Sequence, residues 1–337
     1  MTITISVLDQ SPISPGETVV EALRNTVILA QKAEKLGFKR FWVSEHHDSE
    51  QLAGSSPEVL MSYLLAKTSR IRIGSGGIML QHYSPYKVAE NFHVLASLAP
   101  DRIDLGIGRA PGGLPRSTQA LQTNIVNPLS LTDKIIELRK YLAVDLDEGG
   151  PLAGLKATPI PPIAPVLHLL GATSSSSELA ASLGLPYVFS LFIGGDEQAA
   201  VEAVYRYRAN FNSGAGTKPQ IIMALSAIVA DTDEEAQSLI PSQKLVKVYL
   251  AGGRTVTLST LEQAEEFGRQ ANEPYTIEEK VPLITAGSKE TVRDKLLALQ
   301  EATGVNEFIV TTNITPFEKR LRSYELLSEA FAEVKTL

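Results

Sequence analysis

Short apolar runs alternate with longer amphipathic stretches along almost the whole chain. Residues 3–9 are β-branched and apolar and predict a strand. Residues 14–37 carry apolar positions at helical spacing, open with Ser14, Pro15 and Glu17 in a capping-box arrangement, and stop at Gly37. That pattern predicts a helix. The pair then repeats, with strands expected at 40–44, 71–80 and 102–110 and helices at 55–69 and 84–100. Pro57 with Glu58, and Ser84 with Pro85, mark the two helix starts. Helices are expected near 129–143 and 196–213, and strands near 166–170, 187–191 and 220–230. The last units are a helix at 288–302, a strand at 306–312 and a helix near 316–334 that opens on Thr315-Pro316-Phe317-Glu318. Strands that are each followed by helical sequence predict a parallel sheet with crossover helices. Eight such units favour an α/β fold of the closed (β/α)8 TIM-barrel type.

Two segments break the rhythm. Residues 145–165 are rich in Pro and Gly and read as a loop, and residues 231–284 fit no single helix. The second is expected to be a mobile insertion after strand seven, because long irregular segments in compact domains are usually functional. A length of 337 residues suits one barrel domain spanning 1–337.

Composition narrows the function. The net charge of −7 gives no basic footprint, which argues against nucleic acid or an anionic membrane surface as partner. The absence of cysteine excludes disulfides, thiolate metal sites and a cysteine nucleophile. No basic n-region precedes an apolar run at the N-terminus, and no apolar run is long enough to span a bilayer, so a cytoplasmic location is expected.

In a barrel, the loops after the strands build the active site. Strand two runs into Glu45-His46-His47-Asp48, which uses two of the five histidines. Adjacent side chains on an extended run face opposite ways, so only one of His46 and His47 can face the barrel axis. A metal site is not expected; a single His serving as acid or base beside a carboxylate is chemically sounder. Strand three contains Gly76-Gly77, which weakens a strand unless a flat ligand lies against the backbone or a bulge turns a barrel corner. Strand four ends in Gly108-Arg109-Ala110-Pro111, and strand five in Gly171-Ala172-Thr173 and the serines 174–177. A hydroxyl cluster opening a helix is either an anion site or plain capping. Together with Arg109 it suggests a cradle for the phosphate of a cofactor.

These residues, in this order, resemble the luciferase-like flavin-dependent monooxygenases, the superfamily of bacterial luciferase. The matching pieces are FWVSEHHD from Phe41, the stretch from Ile71 to Gly113 with GSGG and GIGRAPGG, GATSSSSELAASLGLPYVFS from Gly171, and GVNEFIVTT from Gly304. GRAPG is similar to the signature of the single-chain subgroup. The resemblance implies a monooxygenase that uses reduced FMN from a separate NAD(P)H:flavin reductase and O2 to oxidise a small organic substrate through a C4a-peroxyflavin. It assigns His46 to the oxygen chemistry, and Gly76-Gly77 to a non-prolyl cis peptide under the isoalloxazine. Arg109, with Ala110 beside it, Thr173 and Ser176 are assigned to the cofactor phosphate. It makes 231–284 a lid, and it implies a homodimer through helices near 57–67 and 85–98. Those helices carry Leu60, Tyr63, Leu64, Phe92, Val94 and Leu95. Deazaflavin (F420)-dependent hydride transfer, or flavin binding without catalysis, are the alternatives. The chain departs from luciferase in having Gln119 at the place of a second phosphate-binding Arg, with Arg116 nearby, in having Ala172 before the hydroxyls, and in lacking a cysteine.

Overall fold

The computed structural model describes residues 2–123, 125, 128–145, 149–194, 196–214, 217–242 and 244–332. The first half of the chain runs β1 (Thr4–Asp9), α1 (Val19–Lys35), β2 (Arg40–Val43), α2 (Pro57–Lys67), β3 (Arg72–Ile78), a 3-10 turn (Leu80–His82), α3 (Pro85–Leu98) and β4 (Ile103–Ile107). It continues with α4 (Pro115–Leu121), α5 (Leu131–Ala143), β5 (Val166–Gly171), α6 (Ser174–Ser182), β6 (Tyr187–Ser190), α7 (Leu191–Gly194), α8 (Glu197–Ala209) and β7 (Ile221–Val229). The insertion supplies α9 (Asp233–Ser238), β8 (Leu245–Leu250), β9 (Thr255–Leu258), α10 (Leu261–Ala271), β10 (Tyr275–Lys280) and β11 (Ile284–Gly287). The chain then closes with α11 (Lys289–Thr303), β12 (Glu307–Thr311) and α12 (Phe317–Ala332).

The eight expected strands form a parallel ring in the order β7-β12-β1-β2-β3-β4-β5-β6, shut by the β6–β7 pairing. This is the TIM barrel read from the sequence. Some starts moved. The first helix begins after Thr18, whose side chain and Glu21 form the capping box. Glu17 instead accepts the Ser14 N–H at 2.9 Å in the turn before it. Strand three stops at Ile78, and the tail expected to continue it is the 3-10 turn. The last two residues expected in the final helix lie outside the described residues.

The insertion is built rather than irregular. β10, β8 and β9 form an antiparallel sheet. Val246, Val248 and Leu250 on β8 pack against Ala264 and Phe267 on α10, and Leu114, in the loop after β4, packs on the same cluster. Arg116 N–H donates to Gln270 Oε1 of α10 at 3.0 Å, so the insertion seats on the segment that follows Arg109. β11 joins the upper half of β7, with Ile284 and Thr311 both paired to Ser226.

Alternation along each strand separates two cores. Phe41, Val43, Phe308 and Val310 belong to the large layer between barrel and helices. Leu8, Trp42, Val188, Ile222, Ala224 and Ile309 form a small cluster inside the barrel. Below it lies a charged layer. Asp104 is fully buried and accepts from Arg40 Nη1 at 2.8 Å, Arg72 Nη2 at 2.8 Å and the Trp42 indole N–H at 3.0 Å. Arg40 Nε also donates to Glu307 at 2.6 Å. Burial acts to raise the Asp104 carboxyl, but Arg40, His168 and Arg72 outweigh it and hold it below the ordinary carboxylate range. Removing this carboxylate by Asp104→Ala leaves Arg40 buried without half of its compensation. The expected loss is about 3–5 kcal/mol of stability, read as a lower urea midpoint.

Trp42 explains the glycines of β3. A Cβ at Gly74 would lie 2.5 Å from the indole nitrogen, and one at Gly76 2.7 Å from Leu8 Cδ1 and 3.3 Å from the indole. The inner face of β3 therefore carries no side chains where Trp42 lies across it.

Candidate active site at the carboxyl ends of β2 to β5

The residues singled out in the sequence come from strands that are consecutive in the ring, β2, β3, β4 and β5. The barrel sets them on one arc of its C-terminal rim. Gly76-Gly77 is a cis peptide, and the pairing of β3 with β4 shifts register between Gly76 and Ile78. The bulge that the sequence offered as one explanation of the glycine pair is present as this register shift. A Cβ on Gly77 would lie 2.8 Å from the Gly106 carbonyl oxygen, so the strand ends there as bare backbone.

At the end of β4, Arg109 and Ala110 are exposed. Among the described residues Arg109 has no ion-pair or hydrogen-bond partner. The loop itself is tied down: Gln81 Nε2 donates to the Ala110 carbonyl at 3.0 Å, His82 Nε2 to the Pro111 carbonyl at 2.8 Å, and the His47 N–H to the Gly112 carbonyl at 2.7 Å. The arrangement is a free cation on an anchored loop. Arg116 is different. It pairs with Asp48 at 2.6 Å and faces the insertion.

At the end of β5, Thr173 is the N-cap of α6 and accepts from the Ser176 N–H at 3.3 Å. Ser176 Oγ donates to the Thr173 carbonyl at 2.7 Å and hydrogen-bonds Tyr187 OH at 2.8 Å. Its hydroxyl is thus committed to holding the turn. Burial pushes the Tyr187 phenol up to about 12, so it stays a neutral partner. The Ser174 and Ser175 N–H groups are left outside the intrahelical ladder, as at any helix start.

The acidic-His-His run resolves into two separate arrangements. Glu45 is fully buried; it accepts from His47 Nε2 and from Tyr83 OH, each at 2.7 Å, and from the Met79 N–H at 2.9 Å. The sequence suggested that a neighbouring carboxylate would orient the working histidine. Instead Glu45 orients His47, and His46 is held through Nδ1 by Ser44 Oγ at 3.1 Å. Among the described residues His46 Nε2 has no hydrogen-bond partner. Burial pushes the His46 pKa down to about 4, against the pull of Glu45 and reinforced by His47, so the ring is a neutral base at pH 7.

Lys134, one turn into α5, was not legible in the sequence. It is 5% exposed and donates to the carbonyls of Leu80, Gln81 and Tyr83 at 3.3, 2.9 and 2.9 Å. It caps the turn that presents His82 and Tyr83. Its partners are distant backbone oxygens, which leave no residue pattern to find. On the two helices expected at a dimer interface, Leu64, Phe92 and Leu95 are buried within the barrel's own core, whereas Val59, Tyr63, Val94 and Leu98 are exposed.

A glycine-stripped strand end, an arginine without a side-chain partner among the described residues and a helix start thus lie on one arc of the barrel rim. Residues 1–307 match the luciferase-like monooxygenase family, and the chain belongs to it. It is 43% identical over 334 residues to the N-acetyl-S-alkylcysteine monooxygenase of Bacillus subtilis (strain 168), covering 99% of each chain. The crystal structure of apo-MsnO8 superposes with a TM-score of 0.79 at 37% identity, covering 98% of each chain. The fold extends to the oxygenating constituent of 3,6-diketocamphane monooxygenase from Pseudomonas putida in complex with FMN, at a TM-score of 0.72 and 18% identity, covering 98% of each chain. It extends also to an F420-dependent secondary alcohol dehydrogenase, at 0.64 and 16%, again covering 98% of each chain. Among the described residues no helix is long and apolar enough to cross a membrane.

Proposed function

We propose that this monooxygenase uses reduced FMN, delivered by a separate NAD(P)H:flavin reductase, together with O2, to oxidise a small organic substrate in the upper barrel. The observation that carries this reading is Arg109, without a side-chain partner among the described residues, at the end of β4, with the α6 start at the end of the neighbouring β5. A guanidinium and free N–H groups suit a phosphate monoester. The Gly76-Gly77 peptide near the end of β3, on the same rim and without side chains, suits the flat ring of a flavin.

Arg109, the Thr173 hydroxyl and the α6 N–H groups would hold the phosphate, with Ser176 keeping the turn in shape. Reduced FMN supplies the electrons that activate O2. His46, neutral and with Nε2 free, accepts a proton or a hydrogen bond at that nitrogen. The insertion, seated on the loop after Arg109, limits water at the mouth. Resemblance to the Bacillus relative makes an N-acylated thioether the first substrate class to assay. The exposed apolar side chains Val59, Tyr63, Val94 and Leu98 on α2 and α3 support a homodimer through these helices.

The test is an anaerobic titration of the protein with reduced FMN, read by the fluorescence of the one tryptophan, Trp42, inside the barrel. Saturable quenching is expected, and reduced F420 should compete poorly. Absence of quenching, or a preference for F420, would overturn the FMN assignment.

A further inference from the structure

The ring order places β7 opposite β3 and β12 opposite β4. The wall facing the proposed flavin side is therefore made by β7 and β12. Alternation turns Glu307, Ile309 and Thr311 of β12 inward, with Ile309 in the inner cluster. Thr311 is 2% exposed, and among the described residues its Oγ1 has no hydrogen-bond partner. A hydroxyl buried this deeply is ordinarily paired. The next residue shows the ordinary case: Thr312 Oγ1 donates to the Ala227 carbonyl at 2.7 Å.

On β7 and β6 the neighbours of Thr311 are small and neutral, while Leu8 of β1 flanks its other side. Ser226 is its pairing partner on β7, and Ala224 pairs with Ser190 on β6. All have the inward parity of Ile222 and Ala224. The hydroxyl-bearing residues Thr311, Ser226 and Ser190 lie on that wall above Ile309. Gln10 at the rim is occupied by Asn313, at 2.8 Å. The charged residues of the barrel interior lie below, in the Arg40 layer. A carboxylate brought to this wall would be buried without a counter-charge, which is unfavourable. A neutral carbonyl would meet donors.

We propose that Thr311, with Ser226, forms a subsite for the neutral carbonyl or amide group of the organic substrate, on the wall opposite the flavin. This rests on the flavin reading above and adds an orientation to it. An acylamino group is seated on β12 and β7, the oxidisable atom faces β3, and any carboxylate stays at the mouth.

Two probes isolate the amide. N-acetyl-S-methylcysteine carries it; 3-(methylthio)propanoate has the same thioether and carboxylate without it. Calorimetric titration of the flavin-free protein is expected to show tighter binding of the first. Thr311→Val should weaken that probe about tenfold and leave the second unchanged, while Thr311→Ser, which keeps the hydroxyl, should retain the preference. Unchanged affinity in Thr311→Val, equal loss for both probes, or a wild-type protein that binds them equally or binds neither would overturn the subsite. Reduced-FMN affinity of the same proteins is read separately. Failure of the flavin reading appears there, and failure of the subsite appears only in the probe titration.

Discussion

Arg109→Ala is expected to weaken binding of FMN about ten- to a hundredfold, as loss of a charge-assisted hydrogen bond does, and to leave riboflavin nearly unaffected. Arg109 is exposed and carries no competing ion pair among the described residues, so its whole charge is available to a ligand. Its loop is fixed by the Ala110, Pro111 and Gly112 carbonyls, none of which involves the Arg109 side chain. Truncation should therefore remove the cation without moving the loop. Arg109→Lys should recover only part of the affinity, because an ammonium cannot present two parallel donors. The FMN difference should also shrink as salt rises, since the pair is exposed to solvent. Side-by-side titrations with FMN and riboflavin decide it; equal losses for both would show that Arg109 supports the ring or the fold and not the phosphate.

The barrel was legible because its strands are short, apolar and evenly interrupted by capped helices, a pattern that parallel sheets impose on sequence. Helix starts were less so. Ser14 with Glu17 and Thr18 with Glu21 both satisfy the capping rule, and only the fold shows that the first pair closes a turn and the second opens α1. The insertion hid its sheet because β9 is only four residues long and β10 is exposed at all but one position, too little for a period to show. Site residues carried by motifs, such as Gly76-Gly77 and Arg109, could be named from the chain. Contacts made across the barrel could not. Nothing in the sequence says that Trp42 reaches Asp104, that Lys134 caps the turn at Leu80, or that Glu45 serves His47. The first two depend on strand register and on groups meeting far apart in sequence, and the third on which way each side chain of the run turns once β2 is set. The two helices expected to form a dimer interface show the same limit: their apolar residues divide between core and surface only once the barrel is present.

His46→Ala is expected to leave reduced-FMN affinity intact and to lower product formed per flavin oxidised by about a hundredfold, the scale of a lost acid–base group. The missing product should appear as hydrogen peroxide. The pH dependence follows from burial. The His46 pKa, ordinarily 6.5, is pushed down to about 4 in the fold, and buried His168 likewise to about 4. A base that stays neutral to pH 4 predicts a kcat/KM profile flat from pH 8 to 6, with its acid limb near 4 and not near 6.5. Stability moves within that window. Each folded value lies below the unfolded one, so as pH falls below 6.5 the unfolded chain takes up protons first. The stability present above pH 6.5 is then lost progressively towards pH 4. The two effects separate by timing: a brief assay after a pH jump reads the rate before unfolding develops, and equilibrium denaturation reads the stability. An acid limb centred near 6.5 in the brief assay, or a His46→Ala protein that couples flavin oxidation to product as well as the wild type, would remove His46 from the chemistry and leave Nε2 as a bystander at the rim.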